Sequence, residues 1–111
     1  MTNFPAICLK IGIDFKFIYP SEIIYIHSDG SYSELTISDG KKRIVSKKLK
    51  EIEAQLPVDI FVRVHQSYVV NLMYLRSFGK DNKSELHLTN GDVIKISRRK
   101  KAVFMKRFIM L

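Results

Sequence analysis

Apolar and polar positions alternate in short bursts along most of the chain, which is the period of strands with one buried face. Residues 6–11 and 15–19 are two such runs, separated by Gly12 and closed by Pro20. Residues 22–28 and 31–37 flank Asp29-Gly30, a dipeptide favoured in tight hairpin turns because both positions tolerate positive φ. A second Asp-Gly, at positions 39 and 40, leads into residues 43–46. Residues 60–64 alternate cleanly, and 84–89 joins 92–97 through Asn90-Gly91. Three hairpin signals in so short a chain predict a mainly β, antiparallel fold.

Two segments carry helical spacing instead. In residues 47–56, Leu49, Ile52 and Leu56 share one face, Ser46 stands where an N-cap belongs and Pro57 stops the run. Residues 98–111 follow Ser97 and carry Val103, Phe104, Phe108 and Leu111 as an apolar stripe suited to docking on the core.

Length and composition narrow the class. With 111 residues, 46% of them apolar and 27% charged, the chain reads as one globular domain, residues 1–111. Its apolar runs are too short to span a bilayer, and the start at Met1-Thr2-Asn3-Phe4-Pro5 lacks the basic and apolar regions of a secretory signal. The single cysteine, Cys8, permits neither an internal disulfide nor a cysteine-based zinc site, and its apolar run predicts a buried thiol. The expected localisation is cytoplasmic.

Charge is more informative. The formal net charge is +8, and thirteen of the nineteen Lys and Arg residues fall in two acid-free windows, 41–50 and 95–107. A solvated basic surface could account for either window; two of them point to a polyanion. Both proposed helices also begin Ser-basic-basic, at Ser46-Lys47-Lys48 and Ser97-Arg98-Arg99. Cations at the positive end of a helix dipole are unfavourable alone, whereas a phosphate there would meet free N–H groups, the dipole and basic side chains together.

Catalytic chemistry finds little support. His27, His65 and His87 are scattered without metal-ligand spacing. His65 and Ser67 share a strand face, but no nucleophile elbow, phosphate-binding glycine loop or carboxylate pair accompanies them. No enzyme activity, metal, cofactor or small-molecule substrate is expected.

The segment Phe61-Val62-Arg63-Val64-His65-Gln66-Ser67-Tyr68-Val69-Val70-Asn71 closely resembles the signature of the LytTR-type DNA-binding domains, F-x-R-x-H-x-S-[YF]-[LV]-V-N. Ile24-Tyr25-Ile26 with the following turn, the Leu-containing helix from Ser46 and the closing Ile96-Ser97-Arg98-Arg99 are similar to further elements of that family, so the resemblance covers about residues 6–105. It implies an elongated antiparallel β-sheet fold with one or two short helices, acting in a bacterial transcription regulator. Loops, rather than a recognition helix, would enter successive major grooves of paired direct repeats in double-stranded DNA, with a homodimer forming on the site.

Carried over by motif, the base-reading positions are Tyr32 or Ser33, then His65 and Gln66, then Arg98. Gln66 suits adenine and Arg98 suits guanine. Lys47, Lys48, Arg63, Arg99, Lys100 and Lys101 would hold phosphates, Arg63 having an ion-pair role as its alternative, and Asn71 is expected to be a turn or cap residue. Members of two-component systems commonly carry an N-terminal receiver domain, for which 111 residues leave no room. The chain is then either a domain excised from a response regulator or a stand-alone regulator. Two rival readings are a single-strand binder stacking bases on Tyr19, Tyr25, Tyr32 and Phe61, and a protein-interaction domain using Phe104, Phe108, Ile109 and Leu111.

Overall fold

The computed structural model describes residues 6–79 and 84–111; the N-terminal residues read above for a signal lie outside them. Among the described residues the strands are β1 (Ile7–Ile11), β2 (Asp14–Ile18), β3 (Ile23–Asp29), β4 (Tyr32–Ile37), β5 (Lys42–Val45), β6 (Phe61–His65), β7 (Tyr68–Asn71), β8 (Leu75–Phe78), β9 (Glu85–Leu88) and β10 (Val93–Lys95). Helix α1 (Leu49–Glu53) lies between β5 and β6, and α2 (Arg98–Met105) follows β10. All strand pairings are antiparallel, so the expected mainly β class stands.

A five-stranded sheet ordered β5-β4-β3-β7-β6 forms the centre, with β1-β2 and β10-β9-β8 as separate sheets. Each face of the central sheet buries its own core. On one, Ile23, Ile26, Leu35 and Val69 meet Leu49 of α1 and Ile18 of β2. On the other, Ile24, Tyr25, Val62 and Val64 meet Leu86, Ile94 and Phe104, from β9, β10 and α2. A bulge between Ile23 and Tyr25 is what lets the adjacent Ile24 and Tyr25 share that second face. The molecule is elongated, with extents of 47 × 35 × 25 Å.

Local details depart from the sequence expectations. The first helix starts at Leu49, not at residue 47, and Ser46 does not cap it. Instead Lys47 N–H donates to Val45 O and Ser33 Oγ donates to Lys47 O at 2.8 Å, which holds the exit from β5 in a non-helical turn. The second helix ends at Met105: Phe104 and Phe108 meet edge-on at 5.0 Å against the core, while Val103 and Leu111 of the expected stripe are exposed. Cys8 is exposed, because it alternates with the inward-facing Ile7 and Leu9. Strands β7 and β8 were not signalled by turn residues. Asn71 is fully buried, its Oδ1 accepting from Met73 N–H and its Nδ2 donating to the carbonyls of Pro20 and Ile23, the structural role expected of it.

Candidate nucleic-acid interface

Strand direction brings the predicted residues together. Ser28 N–H donates to Ser67 O at 2.8 Å, so the β3–β4 turn and the β6–β7 turn lie side by side at one end of the central sheet. Ser33 pairs with Val45, which puts the β5 exit carrying Lys47 and Lys48 at the same end. At the far side of the row, Ser97 N–H donates to Val64 O at 2.9 Å and fixes the start of α2 beside β6. That carbonyl is free because β6 carries one extra residue, Val64, between the pairs Arg63–Val69 and His65–Tyr68. Strands are about 4.8 Å apart, so the row from β5 to β6 spans roughly 19 Å before α2 is added.

The β3–β4 turn is centred on Gly30-Ser31, one residue later than the Asp-Gly signal implied, with φ +67° at Gly30 alone. This register sets Tyr32 opposite Asp29, and the phenol donates to Asp29 Oδ2 at 2.9 Å. The Asp29 carboxylate accepts this bond and its charge opposes ionisation, so the Tyr32 hydroxyl is held above its ordinary pKa. With its proton engaged, the oxygen presents acceptor lone pairs outward. Ser33 points the other way: it is buried on the face of Leu35 and Ile37 and its hydroxyl is spent on Lys47 O. Of the two residues expected to compete for this place, Tyr32 is the accessible one.

The β6–β7 turn is a two-residue loop, Gln66-Ser67, with neither residue at positive φ. Such loops normally use the Gly- or Asn-rich primed turns, so this one is held by side chains instead. Arg63 Nε donates to His65 O at 2.8 Å, its Nη2 donates to Gln66 O, and its Nη1 meets Glu53 Oε1 of α1 at 2.8 Å. Arg63 is therefore an anchor of the loop, the ion-pair alternative, and its expected place among free phosphate holders is not where the guanidinium is engaged. His65 Nδ1 accepts from Ser67 N–H at 3.0 Å, which assigns the proton of a neutral imidazole to Nε2 and makes that atom a donor. Tyr68 supports the ring edge-on at 5.8 Å and stacks on His27 at 4.6 Å. Gln66 is exposed at the tip.

Between this loop and α2 runs an open groove of about 420 Å³ lined by Glu53, Arg63, His65, Gln66, Ser97, Arg99 and Lys100. Arg98 is exposed on the first turn of α2. Lys101 turns away, its ammonium 5.6 Å from the Phe78 ring centre, and Arg107 donates to Val58 O at the other end of the helix. The two basic windows are thus split by the fold. Lys47, Lys48, Arg98, Arg99 and Lys100 lie at the end of the sheet that carries the turns, whereas Lys42 faces Glu34 at 3.5 Å further along the sheet.

Sequence reasoning missed Glu53, Asp29, Tyr68 and His27 as supports of these side chains; only the three-residue spacing of Asp29 and Tyr32 about Gly30 offered a local signal. Tyr25 and Phe61, proposed as stacking platforms, are buried in the two cores. Burial raises the Tyr25 pKa, with its hydroxyl bonded to Asp92 at 2.9 Å adding to the shift. Phe104, named for a protein-binding face, is also core. Among the described residues no group of three His, Cys, Asp or Glu is placed to hold a metal, and no helix is long and apolar enough to cross a membrane.

A family model described as the LytTr DNA-binding domain matches residues 14–109, nearly all of the row and both cores. The chain belongs to the LytTr DNA-binding domain family, a class of DNA-binding modules found in transcription regulators. It is 33% identical over 93 residues to the CO-responsive transcriptional regulator RcoM of Rhodospirillum rubrum, an alignment covering 81% of this chain and 39% of that protein. The chain thus spans about two fifths of that relative's length. Its fold is shared with the LytTr DNA-binding domain of a methyl-accepting/DNA response regulator from Bacillus cereus, at a TM-score of 0.80, 23% identity, and coverage of 93% of this chain and 95% of the other.

Proposed function

We propose that this domain binds duplex DNA sequence-specifically in a transcription regulator, laying its row of turns across successive major grooves of paired direct repeats. The supporting observation is that three chain segments and one helix start, distant in sequence, converge at one end of one sheet with five basic residues among them. Adding a helix of about 10 Å diameter to the 19 Å row gives roughly 30 Å, close to the ~34 Å of one duplex turn. Its two ends would meet different stretches of groove.

The chemistry assigns roles. Gln66 can pair bidentately with adenine and Arg98 with guanine. The His65 Nε2–H donates to a purine N7 or guanine O6, and the Tyr32 oxygen accepts from adenine N6 or cytosine N4. Lys47, Lys48, Arg99 and Lys100 take phosphates, so binding falls steeply with salt, by about 10³ to 10⁵ between 50 and 200 mM if 6 to 10 phosphates are contacted. Tyr25 and Phe61, being buried, leave the single-strand reading with only Tyr19 and Tyr32 of its four platforms.

Selection of bound duplexes from a random library at about 150 mM salt tests this, since non-specific binding is weak there. Two short direct repeats about one helical turn apart are expected. A pool that stays random would refute the base-reading roles of Gln66 and Arg98.

A further inference from the structure

The β1–β2 hairpin stands apart from the row of turns and, among the described residues, carries the most exposed phenylalanine side chains. Phe15 is 61% exposed, Phe17 67% and Ile13 94%. They share its outer face, while Ile7, Leu9 and Ile18 face the core. Together the three expose on the order of 450 Å² of apolar surface, the size of patch that on a monomer is often functional. Asp14 to Phe17 are all exposed, and the outer edge of β2 is unpaired among the described residues. An open apolar edge is a template for another strand.

We propose that this edge pairs with β2 of a second copy of the chain, antiparallel about a two-fold axis at Phe15. Backbone geometry permits it. Gly12-Ile13 is a two-residue turn with φ +64° at Gly12, so the flanking pair Ile11–Asp14 exchanges both ladder hydrogen bonds. Asp14, Lys16 and Ile18 therefore spend their N–H and C=O groups on β1, and those of Phe15 and Phe17 point outward. A two-fold at Phe15 sets it opposite the partner's Phe15 in a hydrogen-bonded pair, and sets Ile13 opposite the partner's Phe17, all on one face.

Charge selects this register. On the other face Asp14 comes opposite the partner's Lys16, and Lys16 opposite the partner's Asp14, giving two complementary pairs. The neighbouring register, centred one residue on, would set Lys16 against the partner's Lys16. The apolar surface available to two copies is about 900 Å², which belongs to the small, weakly associating class of interface. Such a contact is two-fold symmetric, whereas direct repeats on one duplex are related by translation. It would therefore join copies on separate DNA segments rather than neighbours on one site.

The test needs no DNA, so its outcome is independent of the base-reading proposal. Sedimentation equilibrium from about 10 μM to 1 mM, where so small an interface dissociates, should show a monomer–dimer equilibrium. Asp14→Lys and Lys16→Asp each convert both pairs to like charges and should weaken dimerisation roughly 3- to 30-fold. Mixing the two variants should form a heterodimer at least as tight as the unaltered dimer, and the double exchange should restore self-association. Both sites of change are exposed, and circular dichroism melts confirm that each variant folds. A chain monomeric throughout, or a dimer indifferent to these exchanges, overturns the proposal.

Discussion

Arg63→Lys separates anchoring a loop from holding a phosphate, because it keeps the charge and removes the planar fork. The guanidinium bonds two consecutive carbonyls, His65 O and Gln66 O, and Glu53 of α1 at once. An ammonium on a flexible stem can satisfy at most part of this set. Charge-assisted bonds contribute about 1.5 to 3 kcal/mol each, and two would be lost. The Arg63 side chain is 21% exposed and that of Glu53 39%, so water compensates part of the loss. We expect about 1.4 to 2.7 kcal/mol less order in the His65-Gln66 loop, hence roughly 10- to 100-fold weaker binding to the selected duplex. Binding to a scrambled duplex of equal length should hardly change, and neither should the slope of log affinity against log salt. The assay is a titration of both duplexes between about 50 and 200 mM salt, the range over which phosphate contacts are read. Equal changes on both duplexes would refute the anchoring role and put Arg63 on a phosphate, a contact whose charge lysine keeps.

Arg98→Ala should cost about 1 to 3 kcal/mol on the selected site and relax one base position, seen by repeating the selection; uniform loss across sequences would make it a phosphate contact. Lys100→Ala, by contrast, should weaken all duplexes alike and lower the salt slope by about 1. Asn71→Ala leaves the carbonyls of Pro20 and Ile23 and the Met73 N–H without their buried partner, and should destabilise the fold by about 2 to 4 kcal/mol in a denaturant titration; a change under about 0.5 kcal/mol would mean that water enters freely. In an absorbance titration of the phenols, Tyr25 and Tyr32 should ionise at higher pH than free tyrosine, Tyr25 through burial and Tyr32 through its bond to Asp29. Since both folded values lie above the ordinary 10.0, their stabilising contribution is complete below that pH and fades as pH rises through the folded values. Asp29→Asn should return Tyr32 towards the ordinary value and leave Tyr25 where it is.

How far the site was legible depends on how local its determinants are. The hairpins at Gly30, Gly40 and Gly91 were readable because positive φ is a single-residue requirement that glycine meets at no steric cost. The choice of Tyr32 over Ser33 was also present in the sequence: Leu35 and Ile37 are apolar at even spacing from Ser33, which assigns that serine to the core face and Tyr32 to the other. Strand β7 was not legible in the same way. Its turn, Gln66-Ser67, has no glycine or asparagine, because the work of closing it is done by Arg63, the His65 ring and Glu53, which lies ten positions before Arg63. The β6 bulge belongs to the same category. Nothing in Arg63-Val64-His65 announces an extra residue, yet the carbonyl it frees receives Ser97 N–H and thereby fixes the start of α2 beside β6.

These illegible features have a common physical consequence. A Gly-based turn at 66 and 67 would have closed the hairpin by backbone preference alone and left the tip with maximal conformational entropy to lose on binding. Closing it with side chains leaves Gln66 free to reach outward while both carbonyls flanking its peptide are already held. Part of the ordering cost of binding is thus met when the domain folds, which under the proposed base-reading role of Gln66 favours discrimination between bases over mere adhesion to phosphate. The same logic places the basic residues on the periphery of the row, at the β5 exit and on α2, where flexible stems can follow the backbone of the duplex without disturbing the anchored tip.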